Sequence, residues 1–191
     1  MNVRKVQAKV FIESHTEVDS TPIVPVFHEW IQKNALGELL VDVTEYGHVH
    51  EGPSLLLVGH ESDYAVDFQG GRAGLFCNRK RNTPEDGEAA VLDAIRRVLA
   101  AARRLEGEAS LTPPIRFRGD ELVLRSGDRL TAQNTPETLK ALEPTLRKVL
   151  SKVYAGTTFT LSQAGTPREL FTVQVTAKGA PGVGELLARI S

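Results

Sequence analysis

The feature that most constrains this chain is a series of strand-like runs with almost nothing between them. Residues 39–49, 54–60, 64–68 and 75–79 carry alternating or continuous apolar residues. Their separators are turn signals: Glu51-Gly52-Pro53, Glu61-Ser62 and Gly70-Gly71. Parallel neighbours need a crossover of roughly a dozen residues or more, whereas antiparallel neighbours need only a tight turn. These runs predict an α+β fold, mainly antiparallel sheet with flanking helices, rather than a doubly wound parallel one.

Other elements surround that meander. Val6, Ala8, Val10 and Ile12 predict a first strand. Thr21-Pro22 opens a helix whose Val26, Phe27, Trp30, Ile31 and Ala35 recur at helical spacing, and Gly37 closes it. Asn82-Thr83-Pro84-Glu85 predicts a second helix, with Thr83 as N-cap and Pro84 at the first helical position. Residues 107–114 are small and polar and end in Pro113-Pro114, which reads as a linker between regions 1–107 and 113–191. Beyond it, Gly119-Asp120 predicts a hairpin between two short strands. Asn134-Thr135-Pro136-Glu137 then repeats the capping signal ahead of a third helix, with Pro144 as a kink or restart. Two strands at 157–162 and 170–177 and a short last helix complete the chain. Each half reads as strands followed by an Asn-Thr-Pro-Glu helix, so one expectation is a pair of similar strand-then-helix halves. The apolar positions of the two helices do not align at that offset, and independent capping is the other expectation.

Composition works by exclusion. The 23 basic and 24 acidic residues give a net charge of −1, which argues against a general polyanion binder. A single cysteine, Cys77, cannot form an intramolecular disulfide, and its setting in Leu75-Phe76-Cys77 predicts a buried, inert thiol. No apolar stretch reaches the roughly 18 residues of a membrane span, and the basic N-terminus is not followed by a continuous apolar run. A cytoplasmic protein without a membrane partner is the expectation. There is no Walker motif, dinucleotide fingerprint, nucleophile elbow or Cys-x-x-Cys, so the cofactor is left unknown.

The five histidines are His15, His28, His48, His50 and His60. His28-Glu29 begins a zincin-like pattern, but Gln32 stands where a second histidine is required. His48, His50 and His60 flank the predicted hairpin, with Asp42, Asp63 and Asp67 nearby. A turn centred on Gly52 would set Thr44 opposite His60, and a turn between Glu61 and Ser62 would set His60 opposite Asp63 and Leu56 opposite Asp67. Leu55, Leu57, Tyr64, Val66 and Phe68 then form a core face. Asp42, Thr44, His60, Asp63 and Asp67 form the other face. In that register His60 lies about 13 Å from His48, at ~3.3 Å per residue. One zinc could not span them, so His48 and His50 remain only a two-ligand candidate.

Two segments, Pro25-Val26-Phe27-His28-Glu29-Trp30-Ile31-Gln32 and Leu57-Val58-Gly59-His60-Glu61, resemble bacterial proteins usually called hypothetical. The resemblance covers about the first 80 residues and implies no activity and no residue roles.

The leading functional expectation is a non-enzymatic binding or assembly module. It would use the N-terminal sheet face, with Asp42, Thr44, His60, Asp63, Asp67 and Arg72 as ligand-binding residues. Its partner would be a protein or a small ligand, and self-association is open. The alternative is a metal- or histidine-dependent, hydrolase-like enzyme with His60 and Asp63 as catalytic candidates. A third and weaker reading is nucleic-acid binding through Arg72, Arg79, Lys80 and Arg81, supported by Arg96, Arg97, Arg103 and Arg104. No aromatic residues interleave with that basic patch.

Overall fold

The computed structural model describes residues 3–13, 18–46 and 52–191. His15, His48 and His50 lie outside the described residues, and so does the two-histidine metal candidate. The element order is β1 (Val6–Ile12), α1 (Ile23–Lys33), β2 (Leu40–Glu45), β3 (Pro53–Gly59), β4 (Ser62–Asp67), β5 (Gly74–Arg79), α2 (Gly87–Glu106), β6 (Phe117–Ser126), α3 (Pro136–Val153), β7 (Thr160–Ala164), β8 (Thr172–Thr176) and α4 (Val183–Ala188). The strands form a single antiparallel sheet in the order β2-β3-β4-β5-β1-β6-β8-β7. The fold is α+β with a mainly antiparallel sheet.

The pleat explains which face the helices cover. One row of side chains runs across the sheet through Leu57, Tyr64, Cys77, Ala8, Leu124 and Val173. The next row runs through Leu55, Val66, Leu75, Val10, Leu122 and Val175. All twelve are buried, and they meet the apolar stripes of the helices in one core. α2 lies over β1 and β5; α1, α3 and α4 flank it on the same side. The indole Nε1–H of Trp30 in α1 donates to Glu108 Oε1 just beyond α2 (2.7 Å), which ties the two helices together. Among the described residues the opposite face of the sheet carries no helix. Among the described residues no helix is long and apolar enough to cross a membrane.

The chain divides topologically into β1-α1-β2-β3-β4-β5-α2 and β6-α3-β7-β8-α4. In each part the last strand returns to pair with the first: β5 with β1, and β8 with β6. The opening strands β1 and β6 lie antiparallel side by side, as halves related by a two-fold axis would place them. The repeated Asn-Thr-Pro-Glu signal does not mark this relation. It precedes α2, which closes the first part, and α3, which follows the opening strand of the second.

Several local expectations are corrected. α2 starts at Gly87 with Asp86 as N-cap, its carboxylate accepting from Ala89 N–H (2.9 Å), and not at Thr83. The preceding residues are held out of the helix because Asn82 has φ +51° and its amide donates to Glu61 (3.1 Å). In α3 the Thr135 hydroxyl accepts from Thr138 N–H (3.3 Å), and the helix runs through Pro144 without a restart. α1 ends at Lys33 rather than near Gly37, because Asn34 takes the left-handed conformation and caps it. Gly119-Asp120 is not a hairpin but the interior of one ten-residue strand, β6. Glycine is required there because a Cβ would sit 1.8 Å from the Pro181 carbonyl oxygen, which crosses over the strand.

Candidate binding face

The helix-free face is built by the alternate residues of the same strands. One row carries Asp42, Val58, Asp63, Asn78, Gln7, Arg125 and Thr172. The next carries Thr44, Leu56, Ala65, Phe76, Lys9, Val123 and Gln174. Asp67, Gly74 and Phe11 belong to a third row. Asp42, Thr44, Asp63 and Asp67 therefore do share the face opposite the core.

Their neighbours differ from those read from the sequence. Thr44 pairs with Leu56, not His60. Leu56 pairs with Ala65 rather than Asp67, and Asp63 pairs with Val58 rather than His60. The β3–β4 turn is centred nearer His60 because the Glu38 carboxylate fixes it, accepting from Glu61 N–H (3.0 Å) and Ser62 N–H (2.8 Å). His60 thus lies beyond the end of β3, exposed, with its Nδ1 3.2 Å from the Arg81 guanidinium. Asp63 is held by Lys80 (2.7 Å), and Asp67 by Lys9 (2.7 Å). Asp42 is exposed and accepts from Val43 N–H. The structure does not bring His60 and Asp63 into a hydrogen-bonded pair. Among the described residues no three His, Cys, Asp or Glu side chains are grouped to hold a metal.

The centre of the face is a buried ion pair that pattern reading missed. Lys9 alternates with core residues and so reads as a solvent-facing lysine, yet its side chain is 4% exposed and that of Asp67 only 2%. The ammonium donates to Asp67 Oδ2 (2.7 Å), to the Arg72 carbonyl (3.0 Å) and more weakly to the Asp67 carbonyl (3.3 Å). Its stem passes over Gly74, where a Cβ would lie 2.5 Å from the Val10 carbonyl oxygen and 2.6 Å from Lys9 Cε, so the backbone there requires glycine. Arg72 folds over the Phe11 ring, 3.9 Å from its centroid, and reaches Glu121. Burial, reinforced by the charges of Arg125 and Arg72, keeps the Lys9 ammonium below its ordinary pKa despite Asp67. Arg125, between Gln7 and Thr172, is half-buried and has no hydrogen-bond or ion-pair partner among the described residues. The same face carries the half-buried apolar residues Phe76, two strands from Arg125 on β5, and Leu56 and Val58, four strands away on β3.

Most of the basic patch is paired with carboxylates or carbonyls, and Arg81 stays exposed against His60. Arg79 is buried, with Nη1 donating to Ser62 Oγ (2.7 Å) and Nη2 to the Asn82 carbonyl (3.2 Å). Its Nε is 2.6 Å from Asp93 Oδ2, close as an ion pair but not aligned as a hydrogen bond. Arg97 does not face solvent; it turns inward to Glu38 (2.9 Å) and Glu61 (2.9 Å) and also meets Asp93 (3.3 Å). Arg96 donates to the Ile190 carbonyl (3.1 Å). Arg103 pairs with Glu106 (3.8 Å) and Arg104 with Glu108 (4.0 Å), both at long range.

Cys77 is completely buried beneath α2, and burial pushes its thiol up to about 12. A thiol reagent at pH 8 should therefore leave the native protein unlabelled, with one equivalent reacting on unfolding in urea. Labelling of the folded protein at the rate of a free thiol would show that this part of the core opens.

No protein-family model matches the chain, and no curated protein matches its sequence.

Proposed function

We propose that the protein is a non-enzymatic binding module that docks a protein partner on the helix-free face of its sheet. The observation that supports this is the one-sided covering of the eight strands, which leaves apolar side chains of β3 and β5 and the unpaired Arg125 guanidinium of β6 on one open face. Leu56, Val58 and Phe76 supply contact area, and Arg125 supplies a charge with unused donors. Such a mixture suits an extended partner surface carrying apolar side chains and, two or more strands further across the face, a carboxylate. The paired groups Lys9–Asp67, Arg72–Glu121 and Lys80–Asp63 would set the shape of the face more than its charge.

The test is site-specific photocrosslinking in the native host. A crosslinking residue at Phe76 should capture one defined partner, and Arg125→Glu should abolish the capture. The same residue at Gln32, exposed on the helix side, should give none. Equal capture from both positions, or capture indifferent to Arg125→Glu, would remove the reading.

A further inference from the structure

On the helix side, α2 and α3 part over the ends of β6 and β8 and leave a cavity of about 220 Å³. Its walls are Val91, Leu124, Leu142, Leu146, Phe171 and Val173, and its rim carries Asp86, Glu88, Ser126 and Thr145. Cavities of roughly 150 Å³ with apolar walls take up benzene, a body bulkier than the four-carbon side chain of leucine.

The most exposed large apolar residue described, Leu130, is 96% accessible. It stands on the turn that follows β6. Ser126, which lines the cavity, begins that turn, so projection and cavity are close neighbours on the surface. The turn is fixed by hydrogen bonds: Ser126 Oγ accepts from Asp128 N–H (3.3 Å), Asp128 Oδ1 accepts from Leu130 N–H (3.0 Å), and the Asp128 carbonyl accepts from Ala132 N–H (3.0 Å). Leu130 is therefore held outward rather than left on a loose loop. Beside it, Arg129 is exposed and unpaired among the described residues, while the cavity rim presents the exposed Asp86.

We propose that this surface joins two copies of the chain about a two-fold axis. Leu130 of each copy fills the cavity of the other, and each Arg129 meets the exposed Asp86 of the second copy, beside the ion pair of Glu88 with Lys148 (2.7 Å). A projection and a recess adjacent on one surface are self-complementary under a two-fold, which closes the assembly at a dimer. The charges agree: Arg129 is basic on the projection, and at the rim Asp86 carries the carboxylate that Lys148 does not neutralise. The contact uses the helix layer and leaves the open sheet face free, so it stands independently of the function proposed above.

Sedimentation equilibrium of the full chain over a wide concentration range tests this. The wild type should dimerise. Leu130→Asp should raise the dimer dissociation constant by about 30-fold or more, as expected for a central apolar anchor. Thr145→Trp, at the half-exposed rim, should block the recess and act similarly. Arg129→Glu should weaken the dimer, and adding Glu88→Lys should restore part of the loss. Circular dichroism confirms that each variant is folded; since Leu130 is fully exposed, its variant is a safe reference. A monomeric wild type at every concentration would overturn the proposal. So would a dimer indifferent to Leu130→Asp, or one lost in Leu130→Asp but unchanged in Thr145→Trp. Uptake of 1-octanol by a monomeric wild type would reassign the cavity to a small apolar ligand.

Discussion

Glu38→Ala should lower the free energy of unfolding by about 3–5 kcal/mol, the range for removing one partner from a buried charge network. The expected readout is a lower urea midpoint at an unchanged slope. Glu38 is 5% exposed and accepts from four donors. These are the Arg97 guanidinium (2.9 Å), the Tyr64 hydroxyl (2.7 Å) and the backbone N–H groups of Glu61 (3.0 Å) and Ser62 (2.8 Å). Alanine would leave all four short of an acceptor and would free the β3–β4 turn. Tyr64→Phe removes one donor and keeps the shape, so about 1 kcal/mol is expected. Equal losses in the two variants would show that Glu38 is not the hub. The network also carries a pH signature through Glu61. Its hydrogen bond from Asn82, helped by Arg97 and Arg79 and opposed by burial, holds its carboxyl below the ordinary 4.5. On acidification the unfolded chain binds that proton first. The contribution is complete above 4.5 and is lost as pH falls through the lower, folded value, so Glu61→Gln should flatten the acid limb of the stability profile.

The sequence conveys faces better than neighbours. Leu55, Leu57, Tyr64 and Val66 do form a core face, and Asp42, Thr44, Asp63 and Asp67 do lie opposite it. The register itself is displaced: Thr44 meets Leu56 instead of His60, and Leu56 meets Ala65 instead of Asp67. Both displacements are by an even number of residues. With a side-chain period of two, an even slip changes every partner and no face. The apolar pattern therefore fixes the core but is silent on which carboxylate stands beside which base. What settled the β3–β4 turn was Glu38, a residue outside the hairpin that local turn chemistry cannot reveal.

The same reason hides the buried charges. Arg97 fits the outer side of an amphipathic helix by spacing, and only the approach of Glu38 and Glu61 draws it inward. Gly119-Asp120 has the chemistry of a turn, but the nearby Pro181 backbone demands a glycine inside a strand. In both cases a contact distant in sequence overrides a local signal. The strand-then-helix halves were readable as element order. The pairings that close each part, β1 with β5 and β6 with β8, were not, because strand pairing is a long-range property.

Lys9→Met should cost about 3–5 kcal/mol, because it leaves the Asp67 carboxylate buried without its counter-ion. Lys9→Met/Asp67→Leu should recover most of that loss, since a buried pair replaced by apolar residues of similar volume is often neutral or stabilising. The two measurements separate an ion pair that merely satisfies itself from one that anchors its surroundings. Anchoring is the expectation here, and so recovery should stop short of the wild type. Lys9 also donates to the Arg72 carbonyl, and Asp67 Oδ1 accepts from Gln69 N–H (3.2 Å), so the pair fixes the turn that places Arg72 over Phe11 and against Glu121. Full recovery would show that the turn holds without the pair. The alkaline limb gives a second readout. Burial keeps the folded Lys9 below 10.5, so just below that value the unfolded chain carries more protons. Stability should therefore rise as pH climbs through the folded value toward 10.5, and that rise should be absent from the double variant. If the double variant keeps it, the titrating group is not Lys9, and the centre of the open face is held by something other than this pair.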